Sequence, residues 1–160
     1  MEYQGELDLA ASKMKGNKQF FKQLRRLPEK ALDTQFHKAH ERAFQVIDCL
    51  SCANCCKTTS PIFRDVDIKR LSMHLKMKPS AFIETYLHLD EENDYVLNIA
   101  PCPFLQDDNK CSVYEQRPLA CREYPHTNRK KMHQILSLTL RNTLVCPAVS
   151  RMVEEMKKSN

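Results

Sequence analysis

The chain of 160 residues has only two glycines, Gly5 and Gly16, and none beyond them. A phosphate cradle built from close backbone approach relies on glycine, so a nucleotide site of that kind is not expected after residue 16. Tryptophan is absent as well. No apolar run approaches the ~18 residues of a membrane span. The first thirty residues contain no apolar stretch followed by a small-residue cleavage site. These absences predict a cytoplasmic protein, with no membrane involvement, whose thiols stay reduced. Four disulfides would need an oxidising compartment, and the sequence carries no signal for one. No Ser/His/Asp set or carboxylate pair stands out at a meaningful spacing, so an enzymatic role is left open without a visible catalytic constellation.

Against these absences stand eight cysteines, four of them in the stretch Cys49-Leu50-Ser51-Cys52-Ala53-Asn54-Cys55-Cys56. Thiolates are soft ligands that select zinc, copper(I) or iron–sulfur clusters over hard cations. Two residues between sulfurs let the backbone turn so that both reach one metal. Cys55 and Cys56 are adjacent, and neighbouring side chains on an extended chain diverge. They suit two metals, or two irons of one cluster, better than one small tetrahedral ion. The remaining thiols are Cys102, Cys111, Cys121 and Cys146. Eight thiolates divide into two four-thiolate sites or one multinuclear site, and either zinc or a [4Fe–4S] cluster accepts an all-cysteine set. The rhythm of Cys49, Cys52 and Cys55, with Cys102-Pro103 and Cys146-Pro147 as distant Cys-Pro elements, tilts the expectation towards iron–sulfur. Which cysteines share a metal cannot be read from spacing.

Hydrophobic residues make up 42% and charged residues 28% of the chain, in keeping with a soluble globular protein. The net charge of +5 is uneven. Residues 1–48 carry nine Lys/Arg against seven Asp/Glu, residues 49–125 nine against eleven, and residues 126–160 seven against two. The basic C-terminal segment offers counter-charge to metal-bound thiolates, or a surface for an acidic partner. No aromatic–basic platform for stacking bases is visible, so a protein or redox partner ranks above nucleic acid.

Residues 1–17 are poor in apolar content and read as a flexible start to a single domain over 18–160. Leu32, Phe36, Ala39, Ala43, Val46 and Ile47 predict an amphipathic helix running into Cys49. His37 and His40 on it, like His74 and His88, read as surface residues. Asp65 and Ser80 are candidate caps for helices over about 66–76 and 80–87. Residues 95–99 and 112–114 read as short strands, with Cys102 and Cys111 on either side of the turn at Asp107-Asp108-Asn109. Residues 135–140 fit a strand or a helix, and Cys146-Pro147 opens a last helix over 146–158. The expected fold is α+β and mainly helical, a small metal-stabilised cysteine-rich domain with a short hairpin and flanking helices. Arg117 and Arg122 flank Cys121 and are candidates to donate hydrogen bonds to thiolates or cluster sulfides. Tyr114 and Tyr124 read as core residues.

The order Cys49-x2-Cys52-x2-Cys55-Cys56, Pro101-Cys102-Pro103-Phe104-Leu105, Cys111-Ser112-Val113-Tyr114, Arg117-Pro118, Cys121-Arg122 and Tyr124-Pro125 resembles the CxxCxxCC, or YkgJ-type, cysteine-cluster family. That family is described as zinc- or iron-chelating. The matching span is about residues 49–125, with Cys146-Pro147 as the eighth-cysteine element. The resemblance implies metal chelation by the cysteines, with up to two metal sites, and no particular reaction. A longer relative of the family, the flagellin lysine N-methylase, adds a cluster-dependent methyltransferase as a further alternative. The leading expectation is a metal-binding protein whose iron–sulfur cluster serves electron transfer or metal handling. Its main competitor is a zinc-stabilised interaction module without catalysis.

Overall fold

Prolines and polar turns cut the chain into short helices. The computed structural model describes residues 2–160. In order, its elements are α1 (Gln4–Ser12), α2 (Met14–Leu24), α3 (Glu29–Phe44), α4 (Cys49–Cys52), α5 (Asn54–Thr58), α6 (Asp65–His74), α7 (Pro79–Tyr86), β1 (Leu87–Leu89), β2 (Tyr95–Leu97), α8 (Leu119–Glu123), α9 (Leu136–Asn142) and α10 (Pro147–Ser159). Single 3-10 turns cover Tyr114–Gln116 and Met132–Ile135. The fold is therefore mainly helical α+β, with one two-stranded antiparallel sheet among the described residues. None of the described helices is long and apolar enough to cross a membrane.

The chain divides into two compact units: residues up to Cys52 with Pro125–Asn160, and Ala53–Tyr124. In the first, α3 and α10 pack along each other, α1 lies on α10, and α2 meets α9. Pro147 sits in the first turn of α10, where a missing N–H costs nothing. Val149, Met152, Val153 and Met156 on α10 are buried, as are Leu32, Phe36, Ala39 and Ala43 on α3, each set at helical spacing. α1 buries Leu7 and Ala10. α3 does not run into Cys49. It ends at Phe44, and Asp48 starts α4 afresh, its carboxylate accepting the Leu50 N–H at 3.0 Å and its carbonyl the Cys52 N–H at 3.0 Å.

His37 and His40 hold a loop in this unit. His37 Nε2 lies 2.7 Å from the Arg129 carbonyl and His40 Nδ1 lies 2.8 Å from Thr127 Oγ1. Asp33 accepts the backbone N–H groups of Lys131 and Met132 at 2.8 and 2.9 Å. Burial, with the charge of His37, lowers the pKa of His40 against the opposing pull of Glu41. Residues 136–142 are helix, so the ambiguous apolar segment takes that form, burying Leu136 and Thr139.

In the second unit β1 pairs with β2 in the register Leu87–Leu97, His88–Val96 and Leu89–Tyr95. The expected partner strand at 112–114 is absent; Tyr114–Gln116 is a 3-10 turn and β2 takes Leu87–Leu89 instead. The core gathers Phe63, Ile68, Leu71, Phe82, Leu87, Leu97, Phe104 and Val113. Phe82 and Phe104 stack with centroids 6.2 Å apart, and Tyr86 leans on Phe104 at 5.0 Å. Pro79 at the start of α7 puts Lys78, not Ser80, at the N-cap. At α6 the capping group is likewise Asp67 rather than Asp65, since its Oδ2 accepts the Arg64 backbone N–H at 3.0 Å.

Phe82 is fully buried, so Phe82→Ala should cost about 3–5 kcal/mol; urea unfolding monitored by tyrosine fluorescence measures it. Asp67 is fully buried too. Burial raises its pKa, but the Arg64 and Arg70 guanidiniums and the N–H groups of Arg64 and Leu119 outweigh that and hold the carboxyl well below the usual carboxylate range. A depressed native pKa gives stability present above the unfolded value near ~4 and lost as pH falls below it. Acid titration of Asp67→Asn should therefore show a flatter loss of stability below about pH 4 than the parent protein.

Candidate metal centre

Unit membership separates the eight cysteines. Cys49, Cys52 and Cys146 belong to the first unit; Cys55, Cys56, Cys102, Cys111 and Cys121 belong to the second. The chain leaves the first unit inside its densest cysteine stretch, at the Cys52–Ala53 bond. Ala53 there adopts φ 48°, a left-handed conformation that separates α4 from α5.

The second unit assembles its thiols through main-chain bonds. The Cys102 N–H donates to the Cys56 carbonyl at 2.8 Å, which places α5 beside the Cys102 turn. Leu105 and Cys111 form an antiparallel bridge, and the Ser112 N–H donates to the Phe104 carbonyl at 2.8 Å. Between them Asn109, at φ 66°, closes the turn as asparagine readily does. Each side of this hairpin folds its backbone over a sulfur. The Cys102 sulfur accepts the N–H groups of Phe104 and Leu105, and the Cys111 sulfur accepts that of Val113. Phe104 and Val113 are core residues, and Cys102 and Cys111 pack against the same core. Hydrophobic packing thus sets where the two sulfurs stand.

The ionisation of these thiols reflects their crowding. Burial pushes the Cys102 thiol up to about 11, with the charges of Cys56 and Cys111 adding to it against the donated N–H groups. Burial likewise raises Cys111. Cys121, on α8, is pushed up to about 12 by burial and then by the charges of Cys56, Cys102 and Cys111, with Arg117 opposing. Cys56 goes the other way. A hydrogen bond with the Cys55 side chain brings it down to about 7 despite burial, assisted by Arg117 and Lys57. Cys56, Cys102, Cys111 and Cys121 therefore sit within one another's fields, with Cys56 the first to ionise.

Arg117 is the guanidinium whose charge reaches Cys56, Cys111 and Cys121. Its Nε donates to the Tyr114 carbonyl at 2.8 Å and its Cζ lies 3.6 Å from the centre of the Tyr114 ring. Tyr114 is 40% exposed, so it is no core residue; it serves as a platform for this arginine. Arg122 lies exposed on α8. Tyr124 is half-buried.

In the first unit Cys49 and Cys52 stand one helical turn apart on α4, where i and i+3 share a face. Cys146 stands at the N-cap position of α10, where the N–H groups of Val149 and Ala148 favour its anion. Burial pushes this thiol up to about 12, with the charges of Cys49 and Cys52 adding to the shift. Cys52 and Cys146 are buried and Cys49 is exposed. Elsewhere in this unit a groove of about 730 Å³ is lined by Glu6, Leu9, Arg42, Arg151 and Glu154 among others. It contains no cysteine, and its charges are engaged in pairs such as Arg42–Glu155 at 3.1 Å and Lys13–Glu154 at 2.7 Å.

Among the described residues, no three His, Cys, Asp or Glu side chains already converge tightly enough to hold one ion. The donor chemistry nonetheless suits soft or borderline metals, since four thiols meet in one charge environment with N–H donors on two of their sulfurs. Residues absent from the sequence-based expectation also bear on this site. Asp67 and Arg70 bond the segment leading to Cys121, through Leu119 N–H, Gln116 O and Arg117 O. Their trace in the sequence is the spacing Arg64-x2-Asp67-x2-Arg70, which puts one carboxylate between two guanidiniums on a helix face.

No curated protein and no solved structure matches the chain. A family model, CxxCxxCC, with the description "Putative zinc- or iron-chelating domain", matches residues 48–140. That span covers more than half of the chain and takes in every cysteine except Cys146. The two hairpin thiols, the α8 thiol and the dense stretch at residues 49–56 all fall inside it, and the chain belongs to the CxxCxxCC family.

Proposed function

We propose that this is a cytoplasmic metal-binding protein in which Cys56, Cys102, Cys111 and Cys121 hold one zinc or iron centre in the second unit. Cys49, Cys52 and Cys146 serve a second centre in the first unit. The observation that carries this is the main-chain ladder from Cys56 to Cys102 and from Leu105 to Cys111, which delivers three sulfurs from adjoining backbone. A tetrathiolate centre supplies either a rigid cross-link, with zinc, or an electron-carrying site, with iron and sulfide.

The chain's own residues prepare the site. The N–H groups of Phe104, Leu105 and Val113 donate to sulfur, which lowers ligand basicity and, for a redox centre, raises its potential. Arg117 offsets part of the negative charge of the thiolates. Cys56, brought down to about 7 by its hydrogen bond with Cys55, would offer a thiolate ligand to such a centre at neutral pH. We favour an iron–sulfur centre in electron transfer or metal handling, because both sets are all cysteine and each includes one Cys-Pro element, Cys102-Pro103 in the second unit and Cys146-Pro147 in the first. A zinc-stabilised interaction module is the second reading. It draws on the charge of the first unit, with sixteen Lys/Arg against nine Asp/Glu, a net of +7 beside −2 for the second unit.

Metal and acid-labile sulfide analysis of protein purified without oxygen separates these readings. Iron with sulfide and a broad visible absorption band is the expected result. Stoichiometric zinc without sulfide would leave the interaction module, and protein that binds neither metal overturns the proposal. Stability should also depend on pH in a metal-dependent way. Thiols raised to about 11 and 12 at Cys102, Cys121 and Cys146 favour the native state only while protonated. Unfolded chains ionise near ~8.5, so metal-free protein should lose stability from there up to about pH 12, whereas metal-loaded protein, already thiolate, should not. Thermal melts at pH 7.5 and 10 with and without metal, on the order of those two conditions, test this.

A further inference from the structure

The fully buried carboxylate of Asp67 is the most heavily bonded side chain of the second unit. It accepts from the Arg64 backbone N–H at 3.0 Å, Arg64 Nε at 2.9 Å and Nη2 at 3.0 Å, Arg70 Nη2 at 2.8 Å and the Leu119 N–H at 3.3 Å. Arg70 continues the chain of bonds. Its Nε donates to the Gln116 carbonyl at 3.3 Å and its Nη2 to the Arg117 carbonyl at 2.8 Å. Three successive anchor points therefore fix residues 116–119 to α6. That segment carries Arg117 and ends two residues before Cys121. The buried Ile68 and Leu71 root α6 itself in the core that also seats Phe104 and Val113.

We infer that Asp67 and Arg70 are positioning residues for the metal centre: they hold the 116–119 segment so that Cys121 and Arg117 face the thiols of Cys56, Cys102 and Cys111. This rests on the four-thiolate reading proposed above. Cys102 and Cys111 are held by their own hairpin and Cys56 by its bond to the Cys102 backbone, but Cys121 arrives on a five-residue helix with no ladder to them. Its anchor is the clamp. A guanidinium is needed at position 70 because one flat fork must reach a carboxylate and two carbonyls together. Arg64 bonds the same carboxylate without touching residues 116–119, so its ion pair supports α6 alone.

The contrast between the two arginines gives the test. Arg70→Lys keeps a cation beside Asp67 and removes the fork; Arg64→Gln removes an ion pair and leaves the fork. In metal-free protein, alkylation of each cysteine followed by mass spectrometry should show Cys121 reacting about tenfold faster in Arg70→Lys, with Cys102 and Cys111 unchanged. Arg64→Gln should alter none of the three. With cobalt(II) as probe, Arg70→Lys should weaken binding about 10–100-fold and shift the thiolate charge-transfer and d–d bands, beyond what its change in Tm predicts. Equal effects of the two variants, or an increase shared by all three cysteines, would reduce Asp67 and Arg70 to general stabilisers and overturn the inference. A parent protein that binds no cobalt(II), with Cys121 still selectively freed in Arg70→Lys, would overturn the metal reading and leave the clamp standing as a device that places this thiol.

Discussion

Thiols gathered in a protein interior resist ionisation, and the second unit is built around that resistance. Burial is the larger cause and each nearby thiolate adds to it, so Cys121, buried and felt by three neighbours, is pushed up to about 12. A bound cation reverses this, since it stabilises every thiolate at once. Only Cys56 breaks the pattern, because a hydrogen bond with Cys55 and the nearby charges of Arg117 and Lys57 stabilise its anion. In the adjacent pair Cys55-Cys56, the Cys55 side chain thus bonds its neighbour and favours the Cys56 anion.

Crowding four sulfurs requires a scaffold that cannot relax away from them. Phe104 lies two residues after Cys102 and packs its ring against both Phe82 and Tyr86, while Val113 lies two residues after Cys111 and joins the same core. Apolar burial, at roughly 25 cal/mol per Å² of surface removed from water, thereby holds the backbone that presents its N–H groups to sulfur. Asp67 performs the equivalent task for Cys121 with charge-assisted hydrogen bonds. A buried carboxylate is tolerated there only because five donors satisfy it.

Local patterns in the sequence found what local forces decide. Turn-forming Asp107-Asp108-Asn109 between two cysteines announced the hairpin tip, and Cys146-Pro147 announced the start of α10, because both depend on residues in immediate succession. The partner of β2 was not legible. Leu87–Leu89 continues the apolar spacing of α7, and a three-residue strand has too short a pattern to declare itself. Asp67 was also missed. An acidic residue in the first turn of a helix reads as a favourable charge near the N-terminus, and nothing local shows that residues 116–119 will supply its other partners.

Composition and cysteine spacing by themselves determined that the chain would gather thiols, fold mainly as helices and fall in a family described as chelating zinc or iron. Those properties follow from residue chemistry and from repeats a few residues long. Tertiary structure decided which thiols share a unit. It divided the Cys49–Cys56 stretch after Cys52, joined Cys56 to a hairpin about fifty residues away, and set Cys146 in the other unit with Cys49 and Cys52. Such grouping depends on hydrogen bonds and apolar contacts between segments distant along the chain, whose energies no local pattern encodes.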